Sequence, residues 1–116
     1  YIRHKFSIED VDNGSQIAVV FRVYNNYSEE KSLERVYLES QRGKIYAAEN
    51  KMPVTIKPKK FFDCIFAIKS KQMLEELESG NGKYVIQEGK MIYEMSVTEA
   101  TRREIAVYLK YFKEDN

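Results

Sequence analysis

The stretch FFDCIFAIK, residues 61–69, decides the fold class that this sequence predicts. Its even positions are all apolar: Phe62, Cys64, Phe66 and Ile68. A period of two is typical of a β-strand that buries one face. A second stretch, QIAVVFRVY at residues 16–24, has the same period. Its apolar face carries Ile17, Val19, Phe21 and Val23. We expect these two faces to pack against each other from opposing sheets.

Further short strands are indicated along the chain by alternating apolar residues with turn signals between them. The predicted strands are residues 2–8, 16–24, 33–39, 45–48, 53–56, 61–69, 83–87 and 90–97. The last two flank Glu88 and Gly89, which is the pattern of a tight hairpin. The turn predicted between the first two strands is Asp12 to Ser15, which contains Asn-Gly.

The period changes after residue 69, in SKQMLEELESG. Met73, Leu74 and Leu77 recur at helical spacing. Ser70 is suited to cap the start of a helix, and Gly80 to end it. We therefore predict one short helix that lies across an end of the sheet.

Residues 101–112 fit two structures. As a strand, they place Ile105, Val107, Leu109 and Tyr111 on one side. As a helix, they place Ile105, Tyr108, Leu109 and Phe112 on one face, and Thr101 and Glu104 have the spacing of a capping box. The β-branched and aromatic residues favour the strand. The strand is the preferred prediction for residues 104–112, and the helix stays open as the alternative.

These elements predict an all-β protein, an immunoglobulin-like antiparallel β-sandwich of seven to eight strands with one short helix. The length of 116 residues corresponds to one domain, residues 1–116. Because the chain begins at Tyr1 and not at a methionine, we expect it to be part of a longer protein.

The order of features between residues 6 and 73 resembles a known family. It runs through VFRVYNN, LERVYLES, the charged turn RGKIYA, IKPKK and the aromatic strand FFDCIFAI. This order is similar to that of the immunoglobulin-like accessory sandwiches of bacterial cell-envelope and S-layer-associated proteins. The resemblance implies a non-catalytic interaction or structural module, and it slightly favours an extracellular or cell-envelope location. It supplies no site residues, and it does not cover the chain from residue 83 onward.

Composition narrows the possible partners. The chain is 43% hydrophobic and 32% charged, with 19 basic and 18 acidic residues and a net charge of +1. A nucleic-acid-binding protein usually carries a clear basic excess, so we expect no nucleic-acid partner. No apolar run approaches the ~20 residues of a membrane helix. The single cysteine excludes an internal disulfide. Oligomeric state cannot be read from the sequence.

Few residues of the sequence are suited to catalysis or metal binding. Cys64 lies on the predicted buried face, which indicates a small hydrophobic residue rather than a nucleophile. His4 is the single histidine, and a zinc site would need more His or Cys ligands. The cluster Glu9, Asp10 and Asp12 is interpreted as a solvated strand end. No nucleotide-binding or hydrolase motif is present. We therefore predict that the protein is not an enzyme and has no metal or cofactor.

Tyrosine is the most suggestive residue type, with nine in the chain and no tryptophan. Tyrosine is enriched at protein interfaces because it combines a large contact area with a polar tip. If Ile105, Val107 and Leu109 face inward, the neighbouring residues form an outer patch. The predicted partner-binding residues are Tyr93, Tyr108, Lys110 and Phe112, and a protein is the expected partner.

An alternative follows if residues 101–112 are a helix that closes a bent sheet. The domain would then be pleckstrin-like, and it would bind a peptide or an anionic lipid headgroup. The candidate contact residues in that case are Arg42, Lys57, Lys59 and Lys60.

Overall fold

The computed structural model describes residues 2–9, 16–46, 52–110 and 112; for residues 2–9 and Gln16 it describes the backbone alone. The strands in these ranges are β1 Ile2–Glu9, β2 Gln16–Tyr24, β3 Lys31–Leu33, β4 Arg35–Ser40, β5 Gly43–Tyr46, β6 Val54–Ile56, β7 Phe61–Ile68, β8 Lys83–Glu88 and β9 Met91–Ser96. The helices are α1 Lys71–Ser79 and α2 Glu99–Leu109. The all-β class is confirmed, with antiparallel sheets and a minor helical part. The predicted turn from Asp12 to Ser15 lies outside the described residues.

Every described strand pair is antiparallel. One sheet has three strands in the order β1-β2-β7, and a second has four in the order β5-β4-β8-β9. The short strands β3 and β6 pair with each other. The predicted hairpin after residue 82 is confirmed, because β8 pairs with β9 from Glu88 opposite Met91 to Lys83 opposite Ser96.

The core lies between the two larger sheets. Phe21 on β2 stacks on Tyr84 of β8, with ring centroids 4.1 Å apart. Phe66 on β7 approaches the same tyrosine ring at 5.9 Å. Val36 and Leu38 on β4 are fully buried beside them. Each such buried side chain stabilises the fold by roughly 1.5–3 kcal/mol relative to an exposed one.

The predicted partner of residues 61–69 is wrong. β7 does not face β2 from an opposing sheet; the two strands pair within one sheet, with Phe21 opposite Cys64 and Val19 opposite Phe66. Directly opposite residues of a sheet point to the same side, so both apolar faces look toward β4 and β8 instead. Period-two burial identifies which face of a strand is inward, but it carries no information on which strand lies alongside.

Helix α1 forms as predicted. Ser70 caps its start, where the Ser70 hydroxyl accepts a hydrogen bond from the Met73 backbone N–H at 3.3 Å. Gly80 ends it in the left-handed conformation, with φ of 92°. Met73, Leu74 and Leu77 are buried. The three apolar residues therefore attach the helix to the sheets, and its caps satisfy the backbone groups at its ends.

The preferred strand at residues 104–112 is wrong, because α2 spans Glu99–Leu109. The helix also begins earlier than the predicted capping box: the hydroxyl of Thr98 caps it by accepting from the Thr101 N–H at 3.2 Å. Ile105 is fully buried. Arg102 joins the two helices by donating from Nε to the Glu78 carbonyl at 2.9 Å. Packing against α1 and the core outweighs the strand preference of the side chains.

Candidate functional site

The most exposed apolar segment of the described chain is strand β9. A two-residue turn, Gly89-Lys90, joins it to β8, and Gly89 has a φ of 58°, which glycine adopts without strain. β9 is last in its sheet, so no strand within the described ranges pairs with its other side. We call the side of β9 that is turned away from β8 the β9 edge.

Three consecutive large apolar residues lie on β9 in contact with solvent. Their exposed fractions are 59% for Met91, 63% for Ile92 and 45% for Tyr93. Tyr93 lies opposite Ile86 and points to the inner side of the sheet, whereas Ile92 lies opposite Gln87 and points to the outer side. Apolar surface is therefore presented on both faces of one terminal strand. Edge strands with exposed apolar side chains favour pairing with another chain.

The backbone of β9 has a definite orientation. In a two-residue hairpin the closing pair, here Glu88 and Met91, is hydrogen-bonded. Hydrogen-bonded and non-bonded pairs alternate along an antiparallel ladder, so Tyr93 also directs its N–H and C=O toward β8. Ile92 and Glu94 direct theirs outward. The β9 edge thus offers regularly spaced backbone donors and acceptors.

A row of charges crosses the outer face of the same sheet. Lys83 on β8 contacts the Glu94 carboxylate at 3.0 Å and the Glu39 carboxylate at 3.6 Å. The hydrogen bond to Glu94 is the main reason that the pKa of Lys83 is raised above its usual value. Lys44 extends the row on β5, 3.7 Å from Glu39. Glu94 therefore joins β9 to this row while half of its side chain stays exposed.

The outer face of the three-stranded sheet has a different character. Arg22 and Asp63 lie directly opposite each other and form two hydrogen bonds, of 2.7 and 3.0 Å. The Asp63 carboxylate raises the pKa of Arg22, chiefly through this hydrogen bonding. The Arg22 guanidinium also lies 3.7 Å from the centre of the Phe61 ring. These contacts hold the polar side chains against one another, which is typical of a structural cross-strand pair.

The predicted partner-binding residues do not form one exposed patch. Tyr93 is exposed on β9, and Lys110 is exposed just after α2. Tyr108 is partly buried against the core. Phe112 is 8% exposed, so its predicted position on an outer face is wrong. The chain is helical rather than extended up to Leu109, so the alternation that placed Tyr108 and Phe112 on one outer side does not hold. Phe112 itself lies beyond the end of α2.

Sequence reasoning missed Met91 and Ile92. The signal that could have found them is their place in the sequence, directly after a tight turn and in the last predicted strand but one. Two adjacent apolar residues in a strand point to opposite faces. Such a pair fits either a strand buried on both faces or one exposed at an edge, and the sequence alone does not distinguish them.

Cys64 is buried on the inner face of β7, as predicted. Burial raises the pKa of its thiol to about 12, and the neighbouring Asp63 carboxylate adds to the effect. Because the thiolate is the reactive form, this cysteine is poorly suited to act as a nucleophile.

The four basic residues of the pleckstrin-like alternative are not gathered together. Lys57, Lys59 and Lys60 belong to the turn that precedes β7, and Lys59 Nζ donates to the Asn26 carbonyl at 2.7 Å. Arg42 lies near α1, which follows β7, and its Nε is 3.8 Å from Glu76. The eight residues of β7 separate these positions by roughly 25 Å.

No cluster of three His, Cys, Asp or Glu side chains that could hold a metal ion occurs in the part of the chain that the structure describes. Asp10 and Asp12 of the acidic cluster lie outside those residues. Neither described helix is long and apolar enough to cross a membrane.

Comparison with known proteins gives little more. No family model matches the sequence, and no curated protein matches it. A crystal structure of a protein from Archaeoglobus fulgidus is similar over 84% of this chain and 89% of its own, with 16% identity and a TM-score of 0.39. A TM-score of 0.39 does not establish a shared fold or function.

Proposed function

We propose that this protein is a non-catalytic interaction module that binds a partner protein by adding a strand at the β9 edge. The observation that carries the proposal is the run of three exposed apolar residues, Met91 to Tyr93, on a strand whose outer side is paired with no other strand of the described ranges. Strand addition uses main-chain hydrogen bonds for affinity and alternate side chains for specificity.

The energetics favour burial of this segment. Covering apolar surface gains about 25 cal/mol per Å², so enclosing Met91 and Ile92 contributes a few kcal/mol. The outward N–H and C=O groups of Ile92 would gain partners at the same time. By contrast, two residues of the predicted patch are covered by the protein itself: Phe112 is buried and Tyr108 is partly buried. Tyr93 is the residue common to the sequence prediction and this site.

We propose further that the two larger sheets form an immunoglobulin-like sandwich of the kind found in accessory domains of bacterial cell-envelope proteins. The strand orders β1-β2-β7 and β5-β4-β8-β9 support this assignment. In these sheets consecutive strands lie side by side as hairpins, namely β1 with β2, β4 with β5 and β8 with β9. The burial and raised pKa of Cys64 support a role without catalysis.

Affinity capture tests the proposed function. The 116-residue chain is used as bait against a native lysate and an envelope extract, beside a Met91→Ser, Tyr93→Ser double variant. A matched control is Val107→Ser, which removes a comparably exposed apolar side chain from α2. We expect a protein that the wild type and the Val107 control recover and the double variant does not. Equal recovery by all three baits would contradict the proposal.

A further inference from the structure

We propose that the partner at the β9 edge is a second copy of this chain, paired antiparallel with Ile92 on the twofold axis. This inference rests on the proposed function, and it specifies both the occupant and the register. It follows from the order of residues 90–94, which read Lys-Met-Ile-Tyr-Glu.

The charges of this segment are complementary to themselves. When two copies pair antiparallel about Ile92, Lys90, the turn residue directly before β9, comes next to the strand residue Glu94 of the other copy. The pairing thus forms two opposite-charge pairs, one at each end. Met91 of each copy lies opposite Tyr93 of the other, so both exposed apolar residues on the inner side are covered. The two Ile92 side chains meet on the outer side.

The backbone allows this register. Ile92 and Glu94 direct their N–H and C=O groups away from β8, so a pairing must set outward residues opposite outward residues. If one copy shifts by one residue, an outward-directed backbone group lies opposite a residue whose N–H and C=O already bond to β8. Such a register is therefore excluded. The same shift would turn each side chain to the wrong face of the joined sheet.

Other registers leave charged or apolar side chains opposite residues that do not complement them. Pairing about Glu94 sets the two Glu94 carboxylates opposite each other, which is repulsive. Pairing about Tyr93 sets Ile92 opposite Glu94 and leaves Lys90 opposite Ser96. Only the register about Ile92 pairs Lys90 with Glu94 and also sets each exposed apolar residue against another apolar residue. Twofold pairing of this kind closes on itself and produces a dimer rather than a fibre.

Charge exchange tests the register. Sedimentation of the 116-residue chain over a concentration series should show a monomer–dimer equilibrium. Lys90→Glu alone, or Glu94→Lys alone, should raise the dimer Kd by roughly tenfold, because two attractive pairs become repulsive. The two single variants, mixed in equal amounts, should associate again, since each then supplies the charge that the other needs. The double variant Lys90→Glu, Glu94→Lys should dimerise as the wild type does.

A covalent trap provides a second measurement that does not depend on charge. Opposed residues of a hydrogen-bonded antiparallel pair have Cα atoms about 5.5 Å apart, which suits a disulfide. Ile92→Cys in a Cys64→Ala background should therefore form a linked dimer under mild oxidation. Val107→Cys in the same background, similarly exposed on α2, should form far less.

The outcomes separate the two proposals. A chain that stays monomeric, while β9 variants lose a different protein in affinity capture, overturns the dimer and leaves the interaction module standing. A dimer whose Kd is the same in the wild type, in both single charge variants and in their mixture overturns the register about Ile92. A monomeric chain whose β9 variants also recover the same proteins as wild type overturns both.

Discussion

Strands β8 and β9 belong to one hairpin, and each carries three consecutive large apolar side chains. The two sets differ in solvent exposure. On β8 they are Tyr84, Val85 and Ile86, and on β9 they are Met91, Ile92 and Tyr93. The first set is buried and the second is exposed. β8 has a strand on either side and an opposing sheet beneath it, whereas β9, among the strands that the structure describes, has a neighbour on one side alone. Position in the sheet, rather than composition, decides which apolar residues stabilise the fold and which remain available for binding.

The largest expected contrast lies between two tyrosines of this hairpin. Tyr84→Ala should lower the free energy of unfolding by about 3–5 kcal/mol, because it removes a ring that stacks on Phe21 in the core. Tyr93→Ala should change it by less than ~0.5 kcal/mol. Urea denaturation of the dilute chain measures both. Similar losses in the two variants would mean that β9 is part of the core and not a free edge.

The same contrast of inside and outside can be tested on β7, where Cys64 is buried and the adjacent Ile65 is exposed. Because the folded-state pKa of Cys64 lies above that of an unfolded cysteine, its stabilisation is complete below about pH 9 and declines as the pH rises toward about 12. The decline should be on the order of 1 kcal/mol per pH unit. Denaturant titration between pH 8 and the alkaline limit of folding measures it, against Cys64→Ala as the control.

Thiol labelling provides the kinetic form of this test. At pH 8 Cys64 should react with a thiol reagent at the rate of unfolding, whereas a Cys64→Ala, Ile65→Cys variant should react immediately. Prompt labelling of the wild type in the folded state would contradict the burial and reopen a chemical role for Cys64.

A smaller effect is expected at the start of α2, the element whose structure the sequence left open. Thr98→Ala should lower the free energy of unfolding by about 1 kcal/mol, because the Thr101 N–H loses its capping acceptor. Thr98→Ser should retain most of the stability, since serine supplies the same hydroxyl. Denaturation midpoints of the two variants give the difference. A Thr98→Ala variant as stable as wild type would argue that the helix does not begin here.

The smallest contrast lies between two neighbouring arginines of α2. Arg102 is partly buried and bonds the Glu78 carbonyl, so Arg102→Gln should cost about 1 kcal/mol. Arg103 pairs with Glu99 in solvent, and Arg103→Gln should cost roughly 0.3–0.5 kcal/mol, decreasing with added salt. Thermal denaturation at low and high salt measures both. A larger cost at Arg103 would reverse the comparison.

Much of the fold could be predicted because it depends on local patterns. The inward residues of β2, β4 and β7, the caps of α1 and the turn at Gly89 each follow from residues close together in sequence. The pairing of β2 with β7 did not, since any strand with period-two burial satisfies the same pattern. The α2 segment was misread for a related reason: its β-branched residues favour a strand in isolation, and the contacts with α1 that select the helix are not local.

The candidate site was harder to predict than the fold. Tyr93 was identified through its residue type, but Phe112 was placed outside because residues 104–112 were given the period of a strand. Ile92 has no feature of its own in the sequence. Its exposure depends on β9 being last in its sheet, which is a property of the whole topology.

The pairing of β2 with β7 also has a consequence in time. About 36 residues lie between Tyr24 and Phe61, and at ~5–20 residues per second a ribosome needs roughly 2–7 s to synthesise them. Throughout that interval β2 can pair with β1, but its other side has no partner yet from its own chain. Non-local pairing of this kind is slow and exposes strands to aggregation. FFDCIFAIK therefore decides the fold and also determines how long the β1–β2 hairpin of each nascent chain stays open to its neighbours.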